Sequence, residues 1–213
     1  MDSEATIPEK IKGVLETWYK GYDRDSPGGK EEFDRWFNAS SEYDQELTEK
    51  HQKDLEEVVA DEGQSWSEHE DGRLAAIILI DQMSRNIYRG TSKAFENDHI
   101  GLKLAKEYVD SGDWENAKFL DKQFILLPFE HQEDVKVAQE CVELGEKFQE
   151  MYKCRNCKWT DGNCITFVEY AKKHVDILEK FGRYPHRNKA LCRECTEEEI
   201  EYLKTAETFN QNK

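Results

Sequence analysis

Leu74-Ala-Ala-Ile-Ile-Leu-Ile80 is an unbroken run of seven apolar residues in a chain of which 36% is charged. Such a run has no polar face to offer water, so the element it forms must be enclosed on every side. Ser67, followed three residues later by Glu70, has the form of a capping box ahead of it. The segment 73–81 is therefore expected to be the central buried helix. Leu74, Ile77, Ile78, Asp81 and Arg85 recur at steps of three or four, so a carboxylate and a guanidinium continue the apolar face into the core. Ions stripped of water are costly unless paired and hydrogen-bonded, so each requires a partner elsewhere in the fold.

The remaining apolar residues keep the same period. Pro8 suits a first helical position, Ile11, Val14, Leu15 and Trp18 follow at helical spacing, and Gly21 to Gly29 with Pro27 closes the segment. Phe33, Trp36 and Phe37 mark a short helix over 31–37. Ser41 can cap a long, heavily charged helix over 42–60, stopped near Gly63. Thr91 or Ser92 opens a helix to about residue 109, and 114–127 reads as one or two shorter helices ended by Pro128. Two amphipathic helices follow, over 131–151 and 165–181, and Thr196 with Glu199 forms a last capping box before 200–209. No segment alternates β-branched and polar residues between hairpin turns, and no fixed repeat period is visible. The expected fold is all-α, an irregular helical array in a single domain over 1–213.

Charge narrows the partners. With 30 Lys and Arg against 46 Asp and Glu, the formal net charge is -16, which repels nucleic acid and anionic lipid surfaces. No run approaches the roughly 20 apolar residues of a membrane span. The start, Met1-Asp-Ser-Glu-Ala-Thr, lacks the features of a secretory signal, so a cytoplasmic location is expected. Five Trp, nine Tyr and ten Phe compensate for a hydrophobic content of only 37% by supplying large apolar area per residue.

Polar chemistry is concentrated in three places. The central helix runs out through Gln82-Met-Ser-Arg85-Asn86-Ile-Tyr88-Arg89; Pro128 is followed by Phe129-Glu130-His131-Gln132-Glu133-Asp134; and Phe181-Gly-Arg183-Tyr-Pro-His186-Arg187-Asn188 forms the third cluster. His174 shares a helix face with Phe167, Ala171 and Leu178, which would enclose it. One reading is a pocket in which Arg85, Asn86, Arg89, Arg183, Arg187 and Asn188 bind a small anion, the arginines recognising carboxylate or phosphate through their paired donors. In an enzyme, His131 or His186 would be the general acid or base, Asp81 or Glu133 would orient it, and the chemistry would be hydrolysis or elimination on an acid. The opposite reading makes the same residues a structural ion-pair network tying helix ends together.

The segments 73–90 and 181–188 resemble the bacterial-type family catalogued as domain of unknown function 924. Arg35-Trp36-Phe37, Asp44, Trp66, Phe95 with Asp98, Pro128-Phe129, His131, Glu133-Asp134, His174 and Thr196 with Glu198-Glu199 extend the resemblance over nearly the whole chain. It implies an irregular α-α superhelix related to tetratricopeptide-like folds and implies no established activity. By analogy of fold, the runner-up function is a module that presents a concave face to a protein partner, a second copy of the chain included. The chain departs from the family pattern at Met83-Ser84, where Phe-Pro is usual, at Gln132, where Ser is usual, and at Cys192, where Gly is usual. Residues 154–164 look like an addition to the family pattern.

Cys154-x-x-Cys157 and Cys192-x-x-Cys195 have the paired spacing of a four-thiolate zinc site that would staple a loop to the last helix, with Cys164 and Cys141 in reserve. The pairs lie farther apart than in compact zinc ribbons, and disulfides or ordinary surface thiols explain them without metal. A thioredoxin-like role needs a strand-to-helix setting that is missing. No cofactor other than this structural zinc is expected.

Overall fold

A computed structural model describes residues 5–26, 30–38, 40–153 and 163–205. They form helices joined by turns, with no strand among the described residues. Two compact units are formed, Met1–Ile125 and Leu126–Lys213.

The first unit opens with α1 (Ile7–Tyr19), α2 (Lys30–Phe37) and α3 (Ser41–Ala60). Pro8 lies in the first turn of α1, where its missing N–H costs nothing. The cap of α3 is Ser40, not Ser41: Ser40 is the extended residue, and its hydroxyl accepts from the Tyr43 N–H at 3.3 Å. A short α4 (Gln64–Ser67) then leads to the central helix. The expected Ser67–Glu70 capping box does not form, because Ser67 ends α4 and its hydroxyl donates back to the Gly63 carbonyl at 2.8 Å.

The central helix begins as α5 (Gly72–Ile77), widens into a π-helical stretch (Ile78–Met83) and ends as α6 (Ser84–Ile87). It packs against α1, α3 and, further along the chain, α8 (Asp98–Asp110), so it is covered from several sides. Leu74 to Leu79 are fully buried, as the apolar run requires. The π-helical stretch has no counterpart in the apolar periodicity. It lies where the polar residues begin, and Ser84, the residue that follows it, donates back to the Ile80 carbonyl at 2.6 Å.

Before α8 stands α7 (Lys93–Glu96); the single helix expected from residue 91 or 92 to 109 is divided at Asn97. After α8 come α9 (Asp113–Asn116) and α10 (Phe119–Glu130), the latter beginning in the first unit and ending in the second. Every residue of α10 is buried, and Pro128 lies inside it and does not end it. A proline there forfeits a helical hydrogen bond at a cost of about 3 kcal/mol, which the burial of Phe124, Ile125, Leu126 and Phe129 outweighs. Near the start of α10, Phe124 meets Trp18, Trp36 and Tyr19 edge-on at centroid distances of 5.4, 5.1 and 5.9 Å, joining α1, α2 and α10.

In the second unit α11 (Val135–Lys153) and α12 (Asn163–Phe181) run antiparallel: Gln139 reaches Glu179, Lys172 reaches Glu146, and Phe148 meets Phe167. Ala138, Ile177, Leu178 and Tyr184 form a core cluster there, flanked by Val135, Val175, Phe181 and Tyr202. A 3-10 turn (Pro185–Arg187) and α13 (Glu197–Leu203) complete the unit. The Thr196–Glu199 capping box forms as expected, but α13 ends at Leu203 with Lys204 and Thr205 in a turn, short of the expected end at Phe209; residues 206–209 lie outside the described residues.

Candidate functional site

Asp81, Arg85 and Asn86 lie in the first unit, on the last turns of the central helix, and Arg89 lies in the turn just past its end. Arg85 donates to the Asp81 carbonyl and to Asp98 Oδ2 at 3.0 Å, lies 3.5 Å from Asp81 Oδ1, and covers the Phe95 ring at 5.6 Å. Gln82 donates to Asp81 Oδ2 at 2.6 Å. One turn on, Arg89 grips both oxygens of Asp44 at 2.6 and 2.9 Å, and Asn86 donates to the same carboxylate at 2.8 Å. The central helix is thereby bolted to α3 and to the start of α8. Asp98 and Asp81 compensate Arg85, and Asp44 compensates Arg89.

A second network in this unit had no sequence signal. Arg24 clamps Asp121 at 2.6 and 2.8 Å and Asp71 at 2.6 and 3.1 Å, and the Tyr19 hydroxyl donates to Asp121 at 2.8 Å. The same guanidinium has opposite outcomes on its two partners: burial dominates at Asp121 and pushes its carboxyl up, whereas the Arg24 bonds dominate at the less buried Asp71 and hold its carboxyl down. Asp71 precedes α5 but does not cap it, because its carboxylate is turned to Arg24.

His131, Glu133, Arg183, His186, Arg187 and Asn188 lie in the second unit. Tyr184, fully buried, is their organising side chain. Its hydroxyl donates to the Glu130 carbonyl at 2.5 Å. Around its ring, His174 stands edge-on at 5.4 Å, His186 stacks at 5.4 Å, and the Arg187 guanidinium lies 4.7 Å from the centroid. His174 Nδ1 is 2.8 Å from the Tyr170 carbonyl and 3.4 Å from Glu130 Oε1. Burial pushes both imidazoles down, with the neighbouring Arg187 and His131 adding to it: His174 to about 3 and His186 to about 2. Both are therefore neutral at pH 7.

The carboxylates nearby are held by two arginines. Arg193 binds Glu133 at 2.6 and 2.8 Å, Asn188 Oδ1 at 2.9 Å and the Tyr184 carbonyl at 3.1 Å. Arg183 binds Glu199 at 2.7 and 2.8 Å. Glu199, bonded also by the Thr196 N–H and by Asn188, is brought down to about 2, chiefly by Arg183. Arg193 carries no signal in the sequence: it sits in a loop without periodicity, and only the fold brings it to Glu133. Glu130 and Tyr184 stand in the polar segments without an assigned role, and Glu199 is expected only as the partner of the Thr196 cap.

This arrangement extends over nearly every polar segment that carries the family resemblance, and the sequence family described as bacterial protein of unknown function (DUF924) matches residues 14–207. The chain belongs to that family. A solved structure, that of a protein of unknown function from Agrobacterium tumefaciens, superposes with a TM-score of 0.77 at 26% identity, covering 94% of this chain and 100% of its own. No curated protein matches. Two departures from the DUF924 pattern acquire a structural meaning. Ser84 replaces an expected proline inside the central helix and makes the back-bond to Ile80. Cys192, where glycine is usual, has φ 52°, a left-handed backbone that glycine adopts without cost.

Of the proposed metal ligands, Cys154 and Cys157, with Cys164 in reserve, have side chains outside the described set. Cys192 and Cys195 are exposed free thiols, and Cys141 is a buried thiol that donates to the Leu126 carbonyl at 3.6 Å. No group of three or more metal-ligating side chains occurs among the described residues. An open groove between α1 and α3, lined by Glu16, Thr17, Lys20, Glu46, Lys50 and His51, contains none of the predicted site residues. Among the described residues no helix is long and apolar enough to cross a membrane.

Proposed function

We propose that the second unit binds a small carboxylate or phosphate through Arg187, His186 and His131. The observation that carries this reading is the gathering of the Arg187 guanidinium and the neutral imidazoles of His174 and His186 around the buried Tyr184 ring, with His131 near enough to bear electrostatically on both histidines. Guanidinium supplies the fork of donors that matches an oxyanion, and a neutral imidazole can either donate to it or accept from its acid form. In this proposal Asn188 and Arg183 are supports, fixed by Glu199 and Arg193. Arg85, Asn86 and Arg89 hold the end of the central helix to α3 and α8, and Asp81 is bonded within the helix by Gln82.

A proton-transfer role falls to His131, which is half-buried. An imidazole at about 2, as at His186, is too weak a base for work near neutral pH. Hydrolysis or elimination on the bound acid is the reaction class of the proposal, with Arg187 stabilising the developing negative charge. A cytoplasmic site of action belongs to the same reading.

Isothermal titration calorimetry with inorganic phosphate, acetate and succinate tests it. The wild type should bind at least one of them, and Arg187→Lys, which keeps the charge and loses the fork, should weaken it tenfold or more at unchanged melting temperature. His131→Ala should weaken binding without unfolding the protein. Wild-type affinity in both variants would overturn the reading. A protein that binds no anion but elutes as a dimer or with a peptide partner would establish the interaction-module alternative instead.

A further inference from the structure

The loop between the 3-10 turn and α13 carries two thiols three residues apart, Cys192 and Cys195, both exposed and both free. The residues between them are anchored. The Arg193 guanidinium is held by Glu133, Asn188 and the Tyr184 carbonyl, and the Glu194 carbonyl accepts from Arg183 at 2.9 Å. The second thiol touches the same network directly: Asn188 Nδ2 donates to Cys195 Sγ at 3.3 Å. The first sits on the left-handed residue that turns the chain into this segment. The two sulfurs thus bracket the side chain that spans from this loop to Glu133.

We propose that Cys192 and Cys195 are a reversible redox pair whose state sets the Arg193–Glu133 clamp. The oxidant is a small disulfide of the glutathione type. One protein thiolate attacks a sulfur of the oxidant, its S–S bond breaks, and a glutathione thiolate leaves; the second protein thiolate then displaces the attached glutathione. The protein gives up two protons and two electrons, and the oxidant is reduced to two thiols. A protein disulfide needs Cα atoms about 4.4–6.8 Å apart with converging Cβ bonds. A bridge across Arg193 and Glu194 fixes the backbone on both sides of Arg193 and takes from Asn188 its thiol acceptor. Exposed pairs under such constraint are readily reduced again, which is what a switch requires. The proposal rests on the thiols and the clamp and does not depend on anion binding.

The full-length protein is equilibrated in glutathione buffers of graded potential, remaining thiols are alkylated, and tryptic peptides are mapped by mass spectrometry. Trypsin cuts after Arg193, so the bridged form is recovered as the peptide ending at Arg193 joined to the peptide beginning at Glu194. The melting temperature of the oxidised form should be lower by roughly 4 °C, and the difference should vanish in Arg193→Gln and in Cys195→Ser. Full alkylation of both thiols at every potential, a bridge to another cysteine, or zinc retained on this pair after purification would overturn the redox assignment. A Cys192–Cys195 bridge that leaves the melting temperature unchanged would overturn its link to the clamp.

Discussion

Arg193 donates from Nη1 and Nη2 to the two oxygens of Glu133, at 2.6 and 2.8 Å, across 60 residues of sequence. Burial pushes the Glu133 carboxyl up, but Arg193 and the Tyr184 N–H, which donates at 2.7 Å, outweigh it and leave the carboxyl below its usual range. The pair ties the start of α11 to the loop ahead of α13. It also means that Glu133, read in the sequence as a residue that would orient a catalytic histidine, is engaged by an arginine.

Glu133→Gln keeps the shape of that contact and removes its charge. Urea denaturation at pH 7 should show a loss of about 2 kcal/mol, Arg193→Ala a similar loss, and the double variant less than the sum. A carboxylate with a lowered folded pKa adds stability above its unfolded value and loses it as pH falls through the folded one. The penalty of Glu133→Gln should therefore shrink towards pH 3. Additive losses, or a penalty independent of pH, would show that the clamp contributes nothing.

His174 and His186 set the acid side of the stability curve. Their folded values of about 3 and about 2 lie far below the roughly 6.5 of the unfolded chain, so below pH 6.5 the unfolded state takes up protons that the folded state refuses. Stability should fall with pH by about 1.4 kcal/mol per unit for each histidine, from pH 6 towards pH 4. His174→Gln should reduce that slope by one proton, and an unchanged slope would mean that His174 titrates normally in the fold.

Asp44 carries the junction of α3 with the central helix. Asp44→Ala leaves Arg89 and Asn86 facing an empty place, with both partners of the ion pair largely enclosed, at 15% and 19% side-chain exposure. The expected loss is about 3 kcal/mol. Asp44→Ala/Arg89→Ala should recover part of it, because the uncompensated cation is gone. Anion affinity, referred to the folded fraction, should not change; a tenfold loss would move the binding site to the first unit.

Two glycines should respond oppositely to the same substitution. Gly13 lies inside α1, and a Cβ added there would meet nothing within 4 Å, so Gly13→Ala should stabilise the protein by about 0.5–1 kcal/mol through helix propensity alone. A Cβ on Gly72 would stand 1.8 Å from the Trp66 carbonyl oxygen, so Gly72→Ala must displace the start of the central helix. Thermal unfolding of the two variants in parallel reads both effects.

The polar candidates were legible as residues but not as pairs. Asp81 and Arg85 were marked by standing on an apolar face, and His174 by sharing one with Phe167 and Leu178. Nothing in the order of residues joined Arg193 to Glu133, or Arg24 to Asp71 and Asp121, because an ion pair is made by whichever helices are brought together. Pro128 shows the same limit from the other side: its local preference is to end a helix, and α10 passes through it.

The helical class, the burial of 74–80 on every side and the Thr196–Glu199 cap could all be read from the order of residues, since each depends on neighbours within a few positions of one another. Where the central helix widens around Asp81, the enclosure of α10 along its whole length, and the carboxylate that each arginine receives emerged only once the helices were packed. Helical period is a local property of the chain. The compensation of a buried charge is not: it is settled by packing, which removes water from the charge and supplies the partner that replaces it.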